Sequence, residues 1–221
     1  MATVNALRIN RLRKQFGDRR LLDVAELNFE AGELHLLVGD NGVGKTTFLK
    51  ILAGLEKADA VEITLCGFVY GGGVYPASMR RDVVYVHQHP YLFSSSIEAN
   101  IAYGLKVREM SAPARVAAVC EALQWAALES AKGVLPKRLS GGEKQRVALA
   151  RAMVLNAPVM LIDEPTASLD ATARDQVKAL LATMRAAGRI VLIATHDPAM
   201  LELPGVVVWD LAGGTLTRRF D

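Results

Sequence analysis

The sequence predicts an α/β fold: a mostly parallel sheet, covered by helices and interrupted by a helical insertion. Three observations predict it. Short, nearly continuous apolar runs (Leu34–Val38, Val83–Val86, Val159–Ile162 and Ile190–Ala194) read as strands buried on both faces, the pattern of a parallel sheet. Helical segments follow two of them, Lys45 to about Leu52 and Ala171 to about Ala187, stopped by Gly54 and Gly188. From Ile97 to about Glu129 the apolar residues recur at helical spacing, and alanine is frequent.

Taken in order, Leu7–Leu12 and Leu21–Phe29 alternate like half-buried strands, with the turn-rich Phe16-Gly17-Asp18 between them. Leu34–Val38 ends in Gly39, ahead of the helix that begins at Lys45. Val61–Leu65 reads as a strand beside a flexible Gly71-Gly72-Gly73 loop, and Val83–Val86 as another buried strand. The helical insertion occupies roughly residues 90–155. Val159–Ile162, the helix from Ala171 and Ile190–Ala194 then restore the strand–helix alternation, and Val206–Trp209 and Thr215–Arg218 close the chain as strands. No separate C-terminal regulatory domain is expected.

At 221 residues the chain can bury one core, or one core with an attached subdomain. Hydrophobic residues reach 51% and mean hydropathy is +0.21, which is apolar for a soluble domain. The most apolar region, Val147–Ile162, is nevertheless broken by Arg151, Asn156 and Pro158, so no run has membrane-spanning length. Met1–Asn5 has neither the basic start nor the apolar stretch of a secretory signal. Cys66 and Cys120 make no disulfide framework or metal site; both are expected as small core fillers in a reducing cytoplasm. A net charge of +3 is too weak to argue for a nucleic-acid partner.

Gly39-Asp40-Asn41-Gly42-Val43-Gly44-Lys45-Thr46 matches the phosphate-loop pattern in full, after a strand and before a helix. Its glycines let backbone N–H groups turn inward around phosphates, and the helix presents its partly positive N-terminus to them. Lys45 is expected to reach the β- and γ-phosphates and Thr46 to place its hydroxyl on Mg²⁺. Val159–Ile162 runs into Asp163 and Glu164, carboxylates that are costly on a buried strand unless a cation or hydrogen bonds await them. Because successive strand side chains diverge, the two acids can serve different partners, Asp163 on Mg²⁺ and Glu164 as general base for the attacking water.

Ser140-x-x-Glu143, ahead of Val147, Ala150 and Val154, is a capping box. Capping leaves Gly141 and Gly142 unexplained, since each weakens a helix start by about 1 kcal/mol. They make sense where a phosphate must approach the backbone closely. The phosphate loop already holds the nucleotide of its own subunit, so this second anion-binding helix end is expected to serve another subunit's nucleotide.

With these motifs in this order, the chain resembles the ATP-binding cassette (ABC) family, specifically the ATPase subunits of ABC transporters, over nearly its whole length. The resemblance implies a single ABC ATPase domain over residues 1–221. Its P-loop NTPase core, with a mostly parallel sheet and an antiparallel β subdomain, takes residues 1–89 and 156–221; an inserted α-helical subdomain with the signature turn takes 90–155. Gly39, Asn41, Gly42, Gly44, Lys45, Thr46 and Thr47 would hold the phosphates, and Phe16 would stack on adenine. Gln88 looks like the Q-loop glutamine that contacts Mg²⁺ and the attacking water, beside the groove where transmembrane partners dock. His196 looks like the switch histidine on the γ-phosphate. Ser168-Leu169-Asp170 resembles the D-loop, so Asp170, with Ser140, Gly141 and Gly142, would come from the other subunit. Two departures are minor: Phe16 stands where tyrosine is frequent, and Glu143-Lys144 where two glutamines are common. With Glu164 and His196 both present, the site has the residues for hydrolysis; His87 and His89 match no family position.

The implied cofactors are ATP and Mg²⁺. The implied protein is a homodimer in its ATP-bound state, peripheral on the cytoplasmic side of the inner membrane. Its partners would be permease subunits and, in the complete system, an extracytoplasmic solute-binding protein. Import is the expected direction, and Tyr85–Phe93 resembles subunits serving oxyanion importers such as those for tungstate. The alternative is a soluble ABC ATPase acting on nucleic acid, ribosomes or iron–sulfur assembly, although the chain carries no coiled coil, zinc module or second cassette. A small-molecule kinase or GTPase shares the phosphate loop but leaves Ser140-Gly141-Gly142 without a purpose, and there is no guanine-selecting Asn-Lys-x-Asp.

Overall fold

The computed structural model describes residues 6–65, 67–71, 79–107, 110–167 and 169–220. Cys66, Gly72, Gly73 and Ser168 lie outside the described residues. β1 (Ala6–Phe16) and β2 (Arg19–Glu30) pair antiparallel from Phe16↔Arg19 back to Ala6↔Glu30, so the strands outrun their alternating stretches up to the Gly17–Asp18 tip. β3 (Leu34–Val38) leads through the phosphate loop to α1 (Lys45–Leu52). β4 (Ala60–Leu65) and β5 (Phe68–Gly71) complete an antiparallel sheet of order β2-β1-β4-β5.

After the short α2 (Met79–Asp82) come β6 (Val83–Val86), β7 (Val159–Asp163), β8 (Ile190–Ala194), β9 (Val206–Ala212) and β10 (Thr215–Arg218). With β3 they form a second sheet of order β10-β9-β3-β8-β7-β6, parallel except for β10. Every residue of β7 and β8 is buried, as unbroken apolar strands require. α1 lies between the two sheets: Phe48, Leu49, Ile51 and Leu52 join Ile9 and Phe29 on one side and Leu37 and Leu192 on the other.

The insertion holds α3 (Ile97–Ala102), α4 (Ala112–Trp125) and α5 (Gly141–Met153), joined through short 3-10 turns. The helical periodicity from Ile97 to Glu129 is therefore not one helix. Ser96 and Ser111 each start a new one, accepting the N–H of Ala99 and Ala114 at 3.3 and 3.4 Å, and Pro113 sits in the first turn of α4. Ile97, Ile101, Leu123, Leu128 and Val147 make a separate small core. α6 (Ala171–Ala186) packs beside α5 on the far face of the parallel sheet, where Leu149, Val177 and Leu181 meet Met160, Ile162 and Val191. α7 (Pro198–Leu201) is a single turn after β8.

Cys120 is not a core residue. Only Val119, Ala122 and Leu123 of α4 are buried; Cys120, beside them on the helix, is exposed. Among the described residues no helix is long and apolar enough to cross a membrane.

Candidate active site

The strand–loop–helix expected at Leu34–Leu52 is present, and its first glycine has a packing reason. A side-chain carbon on Gly39 would stand 2.4 Å from the carbonyl oxygen of Leu211, so β9 passes too closely for any other residue. Gly42 and Gly44 take φ of 75° and 117° as the backbone wraps into α1. Lys45 is buried, and its Nζ donates to the carbonyl oxygens of Gly39 (2.6 Å) and Asp40 (3.1 Å) across the loop. Arg19, one residue past the hairpin tip, donates to the carbonyl of Gly42 at 3.0 Å and ties that tip to the loop.

Asp163 is the last residue of β7 and is 4% exposed. Its Oδ1 accepts from Thr46 Oγ1 at 3.1 Å, and its Oδ2 from the hydroxyl of Tyr85 at 2.8 Å. Burial, reinforced by the charge of Asp163, pushes the Tyr85 phenol well above its ordinary value, so the phenol stays a proton donor.

Glu164 is not on the strand, and its divergence from Asp163 is not a matter of pleat. It takes φ 47°, a left-handed conformation that costs a non-glycine residue roughly 1–2 kcal/mol. Its N–H donates to the carbonyl of Ala194 at 2.8 Å, which holds the turn against the end of β8. The turn swings its carboxylate onto His196: Oε1 lies 2.8 Å from Nδ1, and Oε2 accepts the His196 N–H at 3.3 Å. The His196 side chain is 60% exposed, so one partner of this pair faces solvent.

The segment carrying His196 is braced by its neighbour. Asp197 Oδ2 accepts from Thr166 Oγ1 at 2.8 Å, and Arg174 Nε of α6 lies 3.1 Å from the same oxygen, an ion pair without the alignment of a hydrogen bond. Asp197 Oδ1 accepts the N–H of Ala199 at the start of α7. Tyr85, Arg19 and this Asp197 cluster all escaped the sequence reasoning. Only Asp197 left a signal, an Asp-Pro pair that marks a helix cap.

A cleft of about 340 Å³ is lined by Leu21, Asn41, Gly42, Gly44, Lys45, Thr46, Thr47, Gln88, Glu164 and His196. Residues from the phosphate loop, the strand ends and Gln88 are thus brought to one place, although up to 155 positions separate them. Gly39 and Asp163 lie behind it, tied to it through Lys45 and Thr46. Phe16 is 50% exposed at the hairpin tip, with Lys14 Nζ 4.4 Å from its ring centroid. Ser140, Gly141, Gly142 and Asp170 do not line the cleft.

Those four residues sit together at the starts of two packed helices. Ser140 caps α5 in the expected capping box: its Oγ accepts the Glu143 N–H at 3.2 Å and Glu143 Oε2 accepts the Ser140 N–H at 2.8 Å. That second bond leads the effects that hold the Glu143 carboxyl below its ordinary range. Asp170 caps α6, accepting the Ala173 N–H at 2.8 Å. Ser140 and Asp170 are both exposed. Gly142 is buried, and a side-chain carbon there would stand 2.6 Å from Cβ of Ala173. Its small size is thus explained by α5 packing on α6; only Gly141, with open space around it, retains no intramolecular reason.

The sequence profile of the ABC transporter family matches residues 22–167, from β2 through the turn after Glu164. This chain belongs to the ABC transporter family. It is 39% identical over 212 residues to the Fe(3+) ions import ATP-binding protein FbpC 3 of Rhodococcus jostii (strain RHA1), covering 94% of this chain and 60% of that protein. It is 38% identical over 195 residues to the sulfate/thiosulfate import ATP-binding protein CysA of Burkholderia mallei (strain ATCC 23344), covering 86% and 55%. The ABC chain therefore spans 55–60% of the length of these relatives. Its structure is similar to cbiO1 from Clostridium perfringens, part of the ABC transporter complex cbiONQ, with TM-score 0.85, 27% identity and coverage of 97% and 87%. It is also similar to the ATP-binding cassette MJ0796, a dimer in a post-hydrolysis state bound to ADP and Pi, with TM-score 0.82, 28% identity and coverage of 96% and 97%.

Proposed function

We propose that this ABC chain binds and hydrolyses ATP as the energising subunit of an importer, closing as a homodimer over two nucleotides. One observation carries the reading. Lys45, Thr46, Gln88, Glu164 and His196 share one cleft, whereas Ser140 and Asp170 stand outside it as exposed caps of adjacent helices. A cleft with a phosphate loop and no signature turn is complete only when a second copy supplies Ser140, Gly141 and Asp170. MJ0796, 28% identical, is a dimer in a post-hydrolysis state bound to ADP and Pi, which supports the association of two copies.

The residues present fit Mg²⁺ and a triphosphate. Thr46 Oγ1 and Asp163 Oδ1, 3.1 Å apart, are hard oxygen donors of the kind Mg²⁺ takes, and Gln88 lines the same cleft as Thr46. When bound, the metal withdraws charge from the phosphate oxygens. Lys45 exchanges the carbonyls of Gly39 and Asp40 for phosphate oxygens, and the Asn41–Thr47 backbone donates to them. Phe16 offers adenine the ring face not taken by Lys14. Glu164, aimed by its left-handed turn and steadied by His196, accepts the proton of the attacking water; His196 senses the terminal phosphate.

A groove of about 400 Å³ beside Gln88, lined in part by His87, Tyr91, Phe93, Tyr103 and Arg151, offers permease subunits an aromatic seat, with Tyr91 71% exposed. Such a protein is peripheral on the cytoplasmic face of the membrane, with a solute-binding protein outside. The two import relatives support the direction and name two cargo classes, ferric ion and a sulfur oxyanion. The resemblance of Tyr85–Phe93 to oxyanion-importer subunits supports the oxyanion class; binding of sulfate, molybdate or tungstate by the associated solute-binding protein checks this, and selective binding of Fe³⁺ overturns it. For the chemistry, Glu164→Gln is expected to lower turnover about 10²–10⁴-fold, the loss of a general base, while ATP still binds. Unchanged turnover in that variant ends the assignment of Glu164.

A further inference from the structure

We propose that Tyr85 is a positioning residue for the metal site: its hydroxyl fixes the Asp163 carboxylate in the orientation that receives Mg²⁺. The inference rests on the ATP–Mg²⁺ reading of the cleft given above. A buried aspartate has a soft, roughly two-fold final torsion, so a donor on each oxygen narrows its orientation. Here each has one side-chain donor, Thr46 Oγ1 on Oδ1 at 3.1 Å and Tyr85 OH on Oδ2 at 2.8 Å. The two are not equivalent. Thr46 is itself assigned to the metal, so its hydroxyl cannot serve as an independent anchor. Tyr85 carries no such assignment and reaches Asp163 from a neighbouring strand rather than from the phosphate loop.

The anchor is itself well seated. β6 pairs with β7 in parallel register, Tyr85 opposite Leu161 and Val86 opposite Ile162, which sets the phenol level with the end of β7. The Tyr85 ring packs against the core around α1 and meets the His87 ring edge-on, with centroids 4.5 Å apart. Groups that orient a metal ligand from behind are worth about 10–100-fold in metal affinity.

Tyr85→Phe removes one oxygen and keeps the ring, and its thermal unfolding should match that of the wild-type chain within a few degrees. The readout is the factor by which Mg²⁺ tightens binding of trinitrophenyl-ATP, measured by fluorescence with Mg²⁺ and with EDTA. In Tyr85→Phe this factor should shrink about tenfold while affinity in EDTA stays unchanged. A Mg²⁺ factor equal to wild type, or an equal loss with and without metal, overturns the proposal; the second result makes Tyr85 a general structural residue. Asp163→Asn separates this from failure of the underlying reading. If that variant keeps the full Mg²⁺ factor, the metal assignment of Asp163 has failed. If it loses the factor and Tyr85→Phe does not, only the role of Tyr85 has.

Discussion

Gly142 and Ala173 meet so closely that a methyl group on Gly142 would lie 2.6 Å from Cβ of Ala173, well inside van der Waals contact. The two residues join the first turns of α5 and α6, whose caps are Ser140 and Asp170. The exposed caps thus rest on one rigid seam, reinforced by the Arg146–Gln176 hydrogen bond.

Gly142→Ala should therefore destabilise the isolated chain by about 1–3 kcal/mol, the usual range for overpacking. Gly141→Ala, with open space at its site, should be neutral or stabilising by a few tenths to about 1 kcal/mol. Urea midpoints of the two variants check this; equal midpoints would mean that the seam does not constrain Gly142. Loss of ATPase in Gly141→Ala at undiminished stability would tie Gly141 to the nucleotide of the other subunit.

His35 gives the fold a defined acid sensitivity. It is 1% exposed, with Nδ1 accepting from Trp209 Nε1 at 3.3 Å and Nε2 facing the carbonyl of Glu30 at 3.2 Å, partners that assign its proton to Nε2. Burial pushes its pKa from 6.5 down to about 4; the Glu30 carbonyl opposes the shift and Arg218 adds to it. Between those values the unfolded chain binds a proton that the folded chain refuses. Stability should therefore fall as pH drops from 6.5 to about 4, by about 3 kcal/mol at most, and lose nothing more from this group below that window. Urea titrations at pH 7 and 5 on wild type and His35→Gln measure it. The variant should show the shallower dependence, and parallel curves would exclude His35 as the source.

Phe16, proposed to stack on adenine, should separate nucleotide binding from folding. Its ring is 50% exposed, so Phe16→Ala should leave the urea midpoint nearly unchanged. Loss of a base-stacking ring, worth about 1–3 kcal/mol, should weaken ATP binding by about 5- to 150-fold. Calorimetric titration with ATP reads this directly; unaltered affinity would remove Phe16 from the adenine site.

The sequence carried the α/β fold and the placement of most cleft residues because both rest on local rules. Apolar runs of strand length, a glycine loop ahead of a helix, and glycines after Leu52 and Ala186 each have one physical reading. What it hid depended on which elements pack together. Cys120 reads as a small apolar residue, but only the packing of α4 decides that it faces outward. The glycine at 142 invited a ligand explanation because Ala173, thirty-one positions on, gives no sign in sequence of being its neighbour. The left-handed Glu164 was also out of reach, since its conformation is imposed by the end of β8 and not by its own propensity. Tyr85 looked like one more apolar strand residue until β6 paired with β7.

On the dimer reading proposed above, one chain holds only part of each site and a second copy supplies Ser140. Sedimentation velocity on Glu164→Gln with ATP and Mg²⁺ tests it most directly, run beside the double variant Glu164→Gln/Ser140→Arg. The single variant is expected to form an ATP-dependent dimer and to stay monomeric with ADP, and the double variant to be monomeric in both nucleotides. A single variant that stays monomeric at saturating ATP, or a dimer that survives arginine at position 140, would contradict it.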